Sequence, residues 1–238
     1  MRPTGGAGDW QSDCFCGRVR LRPAALLLLL LSACAPAIRI DVPVTAPPPE
    51  QAPAGMDLAC FAHPVIDQWE RRLRVERPLS ADTARVLARG AAYLPHLRDV
   101  FSAGGLPSSL ALLPAIESSF GPDALSRTGS RGLWQLRAVT ARRFGLVVNR
   151  RRDERLEPDL ATRAAARYLA VLHAHYGDWP LALAAYNVGE GRVDRARRGD
   201  PSASFWQLAE DRRLPAASRD YVARFLALVR VVDGAGAC

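Results

Sequence analysis

Lysine is absent from this sequence: all 32 basic residues are arginine. We read that as nucleotide bias of the coding sequence rather than a functional choice. The net charge of +8 would attract an acidic polymer, whether nucleic acid, anionic lipid or cell wall. The arginines are interspersed with Asp and Glu, however, the pattern of solvated helix faces. Metal ligands are scarce. Beyond residue 34 there is no CxxC and no Cys/His ligand spacing, which excludes a structural zinc-type site. His173 and His175, two residues apart on a helical stretch, point to different faces and form no metal pair. Alternating stretches of strand length and internal repeats are also missing, so neither a sheet protein nor a solenoid is expected. What remains is 238 residues, 49% hydrophobic, enough for one domain of moderate size with peripheral segments.

The amino end carries an export pattern. Arg18, Arg20 and Arg22 precede eight apolar residues at positions 24–31, far fewer than the roughly 20 of a membrane-spanning helix but the size of a signal h-region. Leu31-Ser32-Ala33-Cys34 follows and resembles the lipobox of bacterial lipoproteins. The resemblance implies cleavage before Cys34, lipid on its sulfur and new amino group, and a leader over residues 1–33. The stretch before Val19 is long for such a leader, which suggests a start nearer Val19. Ala35, with no Asp there, resembles the default for sorting to the outer membrane, so we expect a lipoprotein on its periplasmic face. An exported protein has no use for nucleic-acid binding.

Residues 34–55, rich in Pro and Ala, read as an extended tether. Of the cysteines past Cys34, only Cys60 and Cys238 remain. In an oxidising compartment they are expected to pair, tying the tail to the first helix. The body reads as mainly α. Helices are expected over 57–75 and 81–103, the second stopped by Gly104-Gly105. Another opens at Pro107-Ser108. Further helices span about 159–176, start near Pro180 and yield at Gly189 and Gly191, and close the chain over about 218–232. We expect residues 56–105 to form a helical segment packed on a catalytic domain over 106–238.

The stretch LLPAIESSF, residues 112–120, raises the functional question. A single carboxylate, Glu117, ends an almost wholly apolar run, although an ionised carboxylate is costly to bury. On one continuous helix Leu110, Leu113 and Glu117 share a face, with Glu117 at the carboxy-terminal end. Desolvation and the helix dipole both raise its pKa there. A carboxyl group kept protonated near neutrality is a proton donor. The other reading of the same carboxylate is half of a buried ion pair with one of the arginines.

Two further blocks bear on that choice. GLWQL at 132–136 has a Thr five residues past its Gln, and AAYNVGEGRV spans 184–193. IESSF, GLWQ and AYNVGEGRV, in this order and spacing, resemble lytic transglycosylases of the soluble-transglycosylase (SLT) type, in the branch typified by membrane-bound murein transglycosylase D. The resemblance covers about residues 106–230. It implies a goose-type lysozyme-like fold, peptidoglycan glycan strands as substrate and no cofactor or metal. It assigns the catalytic acid/base to Glu117. Substrate contacts fall on Ser118, on Ser126 nine residues past the acid, on Gln135, and on Tyr186 and Asn187. SRDYVARFLAL, 218–228, resembles the family's closing helix. Trp134 is either core or groove wall, and Tyr186 either packs or orients the acid. Glu190 reads as exposed in a Gly-flanked turn, and Tyr168 as core.

The chain departs from the family's pattern at Ser130-Arg131, in place of the usual small residue before GLWQ, and at Arg137. Arg137 stands where an apolar residue is usual, which puts the preference of a nearby sugar subsite in doubt. The implied reaction cleaves the β-1,4 bond between N-acetylmuramic acid and N-acetylglucosamine and forms a 1,6-anhydro ring. Two alternatives stay open at this point: a non-catalytic peptidoglycan-binding lipoprotein of the same fold, and a hydrolytic lysozyme.

Overall fold

In the computed structural model, residues 57–234 are described. They are helical, and among them the β pairing is limited to isolated bridges. Ten α-helices follow in order: α1 Pro64–Val75, α2 Leu79–Gly90, α3 Leu94–Ala103, α4 Leu113–Glu117, α5 Ala138–Arg143, α6 Pro158–Tyr176, α7 Trp179–Val188, α8 Glu190–Arg197, α9 Phe205–Glu210 and α10 Ala216–Asp233. Short 3-10 turns cover Leu58–Cys60, Ser108–Leu112 and Glu154–Leu156.

The core is organised on α7. Every residue from Trp179 to Ala185 is buried, so the helix is apolar all round and can sit only inside the protein. Its start is fixed locally: Asp178 accepts a hydrogen bond from the Leu181 N–H at 2.6 Å, and Pro180 occupies the first turn, both favoured there. Gly177, with φ 66°, ends α6 in the left-handed conformation that costs glycine least. This sharp turn lays α6 against α7, and α10 packs on α7 as well. At the far end of α10, Arg230 donates to the carbonyls of Ala59 (3.1 Å) and Phe61 (2.6 Å) and pairs with Asp67 at 2.7 Å. One guanidinium thereby fastens the first 3-10 turn and α1 to the closing helix.

Three expected helices are divided. The stretch 57–75 is a 3-10 turn followed by α1. The stretch expected as one helix over 81–103 breaks at 91–93 into α2 and α3. At the end of α2, a Cβ on Gly90 would lie 2.5 Å from the ring of Phe120, and Tyr93 stacks on that ring at 6.5 Å. The chain turns where it wraps around Phe120. The third division is at the question stretch itself: a 3-10 turn over Ser108–Leu112 passes into α4 at Leu113. Leu110, Leu113 and Glu117 therefore do not lie on one regular helix face. Both leucines are nonetheless fully buried, and Glu117 is the last residue of α4.

Cys60 is disulfide-bonded. Its expected partner Cys238, the leader, Cys34 and the tether all lie outside the described residues.

Candidate active site

Glu117 ends α4 with its carboxyl crowded by protein and its residue only partly open to solvent. Its Oε1 accepts a hydrogen bond from the Tyr221 hydroxyl at 2.6 Å. Burial pushes the Glu117 pKa up to about 7, and the Tyr221 bond, which favours the ionised form, opposes that rise. Among the described residues no guanidinium pairs with Glu117, so the ion-pair reading of this carboxylate is set aside. A carboxyl group in such a setting exchanges a proton near neutral pH.

Two tyrosines face this carboxyl. The hydroxyls of Tyr186 and Tyr221 are both pushed well above their ordinary pKa, first by burial and then by the Glu117 charge. They stay protonated and act as donors. Tyr221, however, is the one that holds the acid. Tyr186 donates instead to the backbone carbonyl of Trp134 at 2.8 Å, so it braces the segment beside the site. Sequence reasoning draws out SRDYVARFLAL but misses Tyr221 within it. Tyr221 is the one aromatic hydroxyl in that helix, and that is the signal by which it could be found.

Ser118 connects the acid to the neighbouring loop. Its hydroxyl donates to the Leu133 carbonyl at 2.8 Å. The loop, residues 124–136, is a tight double turn. Ser126 donates its N–H to the Ser130 carbonyl, and its Oγ accepts the Ser130 N–H, each at 2.9 Å. Gln135, at φ 48°, donates through its amide to the carbonyls of Ala124 (3.1 Å) and Gly132 (2.9 Å). The amide oxygen of Gln135 is left for another partner.

A buried arginine pins this loop from behind. Arg155 donates to the carbonyls of Gly129 and Leu136 at 2.9 and 3.1 Å. Its charge is met by Asp153 at 2.7 Å, which also pairs with Arg131 at 3.1 Å. These guanidinium contacts, the Arg155 hydrogen bond first, hold the Asp153 carboxyl down at about 2. Gly132 fits this packing because it has no side chain: a Cβ there would lie 1.9 Å from the Arg155 carbonyl oxygen.

The structure decides the other readings of the sequence, Tyr168 as expected and Glu190 not. Trp134 is core, not groove wall: it is fully buried, donates to the Thr162 hydroxyl at 2.9 Å and packs on Phe101. Tyr168 is buried against Tyr186 and Phe144. Glu190 is neither exposed nor in a turn; it opens α8 and pairs with Arg143 at 3.0 Å. Asn187 and Arg137 are exposed. No group of His, Cys, Asp and Glu among the described residues could hold a metal ion.

Comparison with known proteins bears on the same residues. The family model described as Transglycosylase SLT domain matches residues 102–209. Membrane-bound lytic murein transglycosylase D of Escherichia coli (strain K12) is 36% identical over 148 residues, covering 60% of this chain and 32% of that protein. A putative tributyltin chloride resistance protein of Alteromonas sp. (strain M-1) is 41% identical over 110 residues, covering 46% of this chain and 53% of that one. The chain thus spans about a third of the first relative and about half of the second. Among solved structures, an inactive mutant of the lytic transglycosylase Slt from Pseudomonas aeruginosa aligns with a TM-score of 0.46 at 28% identity, over 67% of this chain and 25% of that one.

Proposed function

The chain belongs, through residues 102–209, to the transglycosylase SLT domain family, and from that premise we propose that it is a peptidoglycan lytic transglycosylase with Glu117 as its one acid/base. The observation that carries this reading is the Glu117 carboxyl, raised to about 7 by burial and held by a neutral tyrosine rather than a cation. Its relatives include proteins named as lytic murein transglycosylases.

The reaction uses one proton twice. Protonated Glu117 donates to the glycosidic oxygen as the β-1,4 bond between N-acetylmuramic acid and N-acetylglucosamine breaks. The substrate's own N-acetyl group stabilises the cationic anomeric carbon. Glu117, now ionised, accepts the proton of the muramic C6 hydroxyl, whose oxygen closes on the anomeric carbon. The product is 1,6-anhydro-N-acetylmuramic acid, and Glu117 returns protonated. Glycosidases that use water or a covalent intermediate need a second carboxylate; here the substrate supplies both the stabilising group and the nucleophile. The pKa of Glu117 suits both halves, since a group near 7 gives and takes a proton at similar cost.

Around it, Tyr221 orients the carboxyl, Ser118 ties the acid's segment to the neighbouring loop, and Tyr186 braces that loop. The Asn187 side chain, the free amide oxygen of Gln135 and the Ser126 loop form the glycan-contacting set. The wider layout belongs to the same proposal: a leader over residues 1–33, lipidation at Cys34, a tether to residue 55, a Cys60–Cys238 disulfide, and residence at the periplasmic face of the outer membrane. No helix among the described residues is long and apolar enough to cross a membrane.

The test is digestion of purified sacculi by the wild-type protein and by Glu117→Gln. The wild type is expected to release fragments ending in anhydromuramic acid, while the variant folds and binds but releases none. Reducing ends would indicate a hydrolase. Release at the wild-type rate by Glu117→Gln would remove Glu117 from the chemistry.

A further inference from the structure

Beside α4, on the side facing α2, lies a cavity of about 330 Å³. Its floor is aliphatic, with Ile116 and Leu228 among its walls, and arginines stand around it: Arg85 and Arg89 from α2 and Arg224 from α10. The cavity adjoins the acid through the chain itself, because Ile116 and Ser119, both in its wall, flank Glu117. It also adjoins it through α10. Tyr221, Arg224 and Leu228 are spaced three and four residues apart and so share one face of that helix. Arg224 therefore stands about one turn, roughly 5 Å, along the axis from the tyrosine that grips the acid. Both α2 and α10 lie outside residues 102–209, so the family match reaches this cavity only through Ala115, Ile116 and Ser119.

Its charge is only partly compensated. Arg85 pairs with Asp82, the one carboxylate in the lining. Arg89 donates its Nε–H to the Ser119 carbonyl at 3.0 Å, which leaves both terminal amino groups of the guanidinium open. Arg224 has no ion pair among the described residues, and its Nε is buried with no hydrogen-bond partner. Burial and the nearby charge of Arg72 both press its pKa downward. Arg72 itself is taken up by Glu76 and Trp69. An arginine that lines a cavity without a counter-charge favours an anionic acceptor there. A carboxylate accepts from a guanidinium through both oxygens.

We infer that this cavity receives the stem peptide of the glycan, with Arg89 and Arg224 holding one of its free carboxylates and the aliphatic floor holding its alanine methyls. The inference rests on the glycan-cleaving reading of Glu117. In that reading the peptide hangs from the lactyl group of the very N-acetylmuramic acid that Glu117 attacks, so it must leave the acid along a neighbouring surface. A short chain that mixes alanine with carboxylate-bearing residues matches a pocket of aliphatic floor and arginine rim. The arginines would then act as specificity residues, selecting peptide-bearing over bare strands, without touching the reacting atoms.

The test compares two substrates: glycan strands with their peptides and strands stripped of them by an amidase. Wild type is expected to show the higher kcat/KM on peptide-bearing strands. Arg89→Gln and Arg224→Gln should each lower that value by about tenfold, the worth of one charge-assisted hydrogen bond. Turnover of stripped strands should stay as it is. Arg89 is exposed on α2, and Arg89→Gln gives up one hydrogen bond, to the Ser119 carbonyl. Stripped strands report that loss as well, so the comparison of the two strands stays valid even if Arg224→Gln folds poorly. Equal wild-type rates on both strands, or variants that slow both alike, would overturn the inference while leaving glycan cleavage standing. A wild type that cleaves neither strand would overturn both.

Discussion

Tyr221 and Glu117 are 104 residues apart in the chain and joined by a 2.6 Å hydrogen bond. The bond ties the end of α4 to α10, the helix that also grips α1 through Arg230. The carboxyl is thus aimed by the packed body of the protein and not by its own short helix. Tyr221 acts on Glu117 in two ways. It fixes one oxygen in place, and it stabilises the ionised form, opposing the larger effect of burial.

Replacing Tyr221 by Phe should separate these two effects. Without the hydroxyl the carboxylate loses a donor, so the Glu117 pKa rises above its present value of about 7. The alkaline limb of kcat/KM reports loss of the protonated acid, and it should therefore move to higher pH in the variant. The plateau should fall by roughly tenfold to a hundredfold, because the acid is no longer held at a fixed angle. A pH–rate profile on soluble glycan strands checks both. A lower plateau with an unmoved limb would mean that Tyr221 supports the fold but does not tune the acid.

The raised pKa of Glu117 also makes a claim about stability. A carboxyl that ionises near 4.5 in the unfolded chain and near 7 in the folded one binds more protons when folded. Stability is then greatest below about 4.5, falls as pH rises between those two values, and carries the full penalty above 7. Glu117→Gln removes the ionisation while keeping an acceptor for Tyr221. The variant should match the wild type near pH 4 and exceed it at pH 8, by on the order of 3 kcal/mol at most. Chemical denaturation at the two pH values measures this. An active-site residue that is replaced with a gain in stability is the signature of a group kept for chemistry. Equal stability at pH 8 would mean that the carboxyl is better solvated than its surroundings imply.

Much of this site is legible in the amino-acid sequence, and the reasons that the rest is not are physical. A carboxylate ending an apolar run is a local anomaly, visible in nine residues. The long helices α6 and α10 are legible because their apolar period runs unbroken and their ends carry Pro and Gly. The break between α2 and α3 is not, since it answers to Phe120, 30 residues beyond Gly90. Tyr221 stands out only as the one aromatic hydroxyl of α10, and nothing within that helix tells that it faces α4. Trp134 misleads for the same reason: its neighbour Gln135 lies at the surface of the loop, but the indole turns inward to Thr162 on α6. Pattern reports what a segment is; it does not report what a distant segment requires of it.

The loop over residues 124–136 offers a paired test of that last point, because two of its glycines have positive φ for different reasons. Gly129 has φ 82° and open space where a Cβ would go. Gly132 has φ 75°, but a Cβ there would sit 1.9 Å from the Arg155 carbonyl oxygen. Gly129→Ala should therefore cost only the left-handed conformation, about 1–2 kcal/mol, and leave turnover nearly unchanged. Gly132→Ala carries the same conformational cost and must also push the loop away from Arg155. That displacement moves Gln135, which bonds back to Gly132, and Leu133, whose carbonyl receives the Ser118 hydroxyl beside the acid. Gly132→Ala should lose at least about 3 kcal/mol and most of its turnover, with thermal unfolding and digestion of sacculi as the two readouts. If both variants behave alike, backbone conformation alone explains the glycines. If only Gly132→Ala fails, the contact with Arg155 is what sets the loop against Glu117.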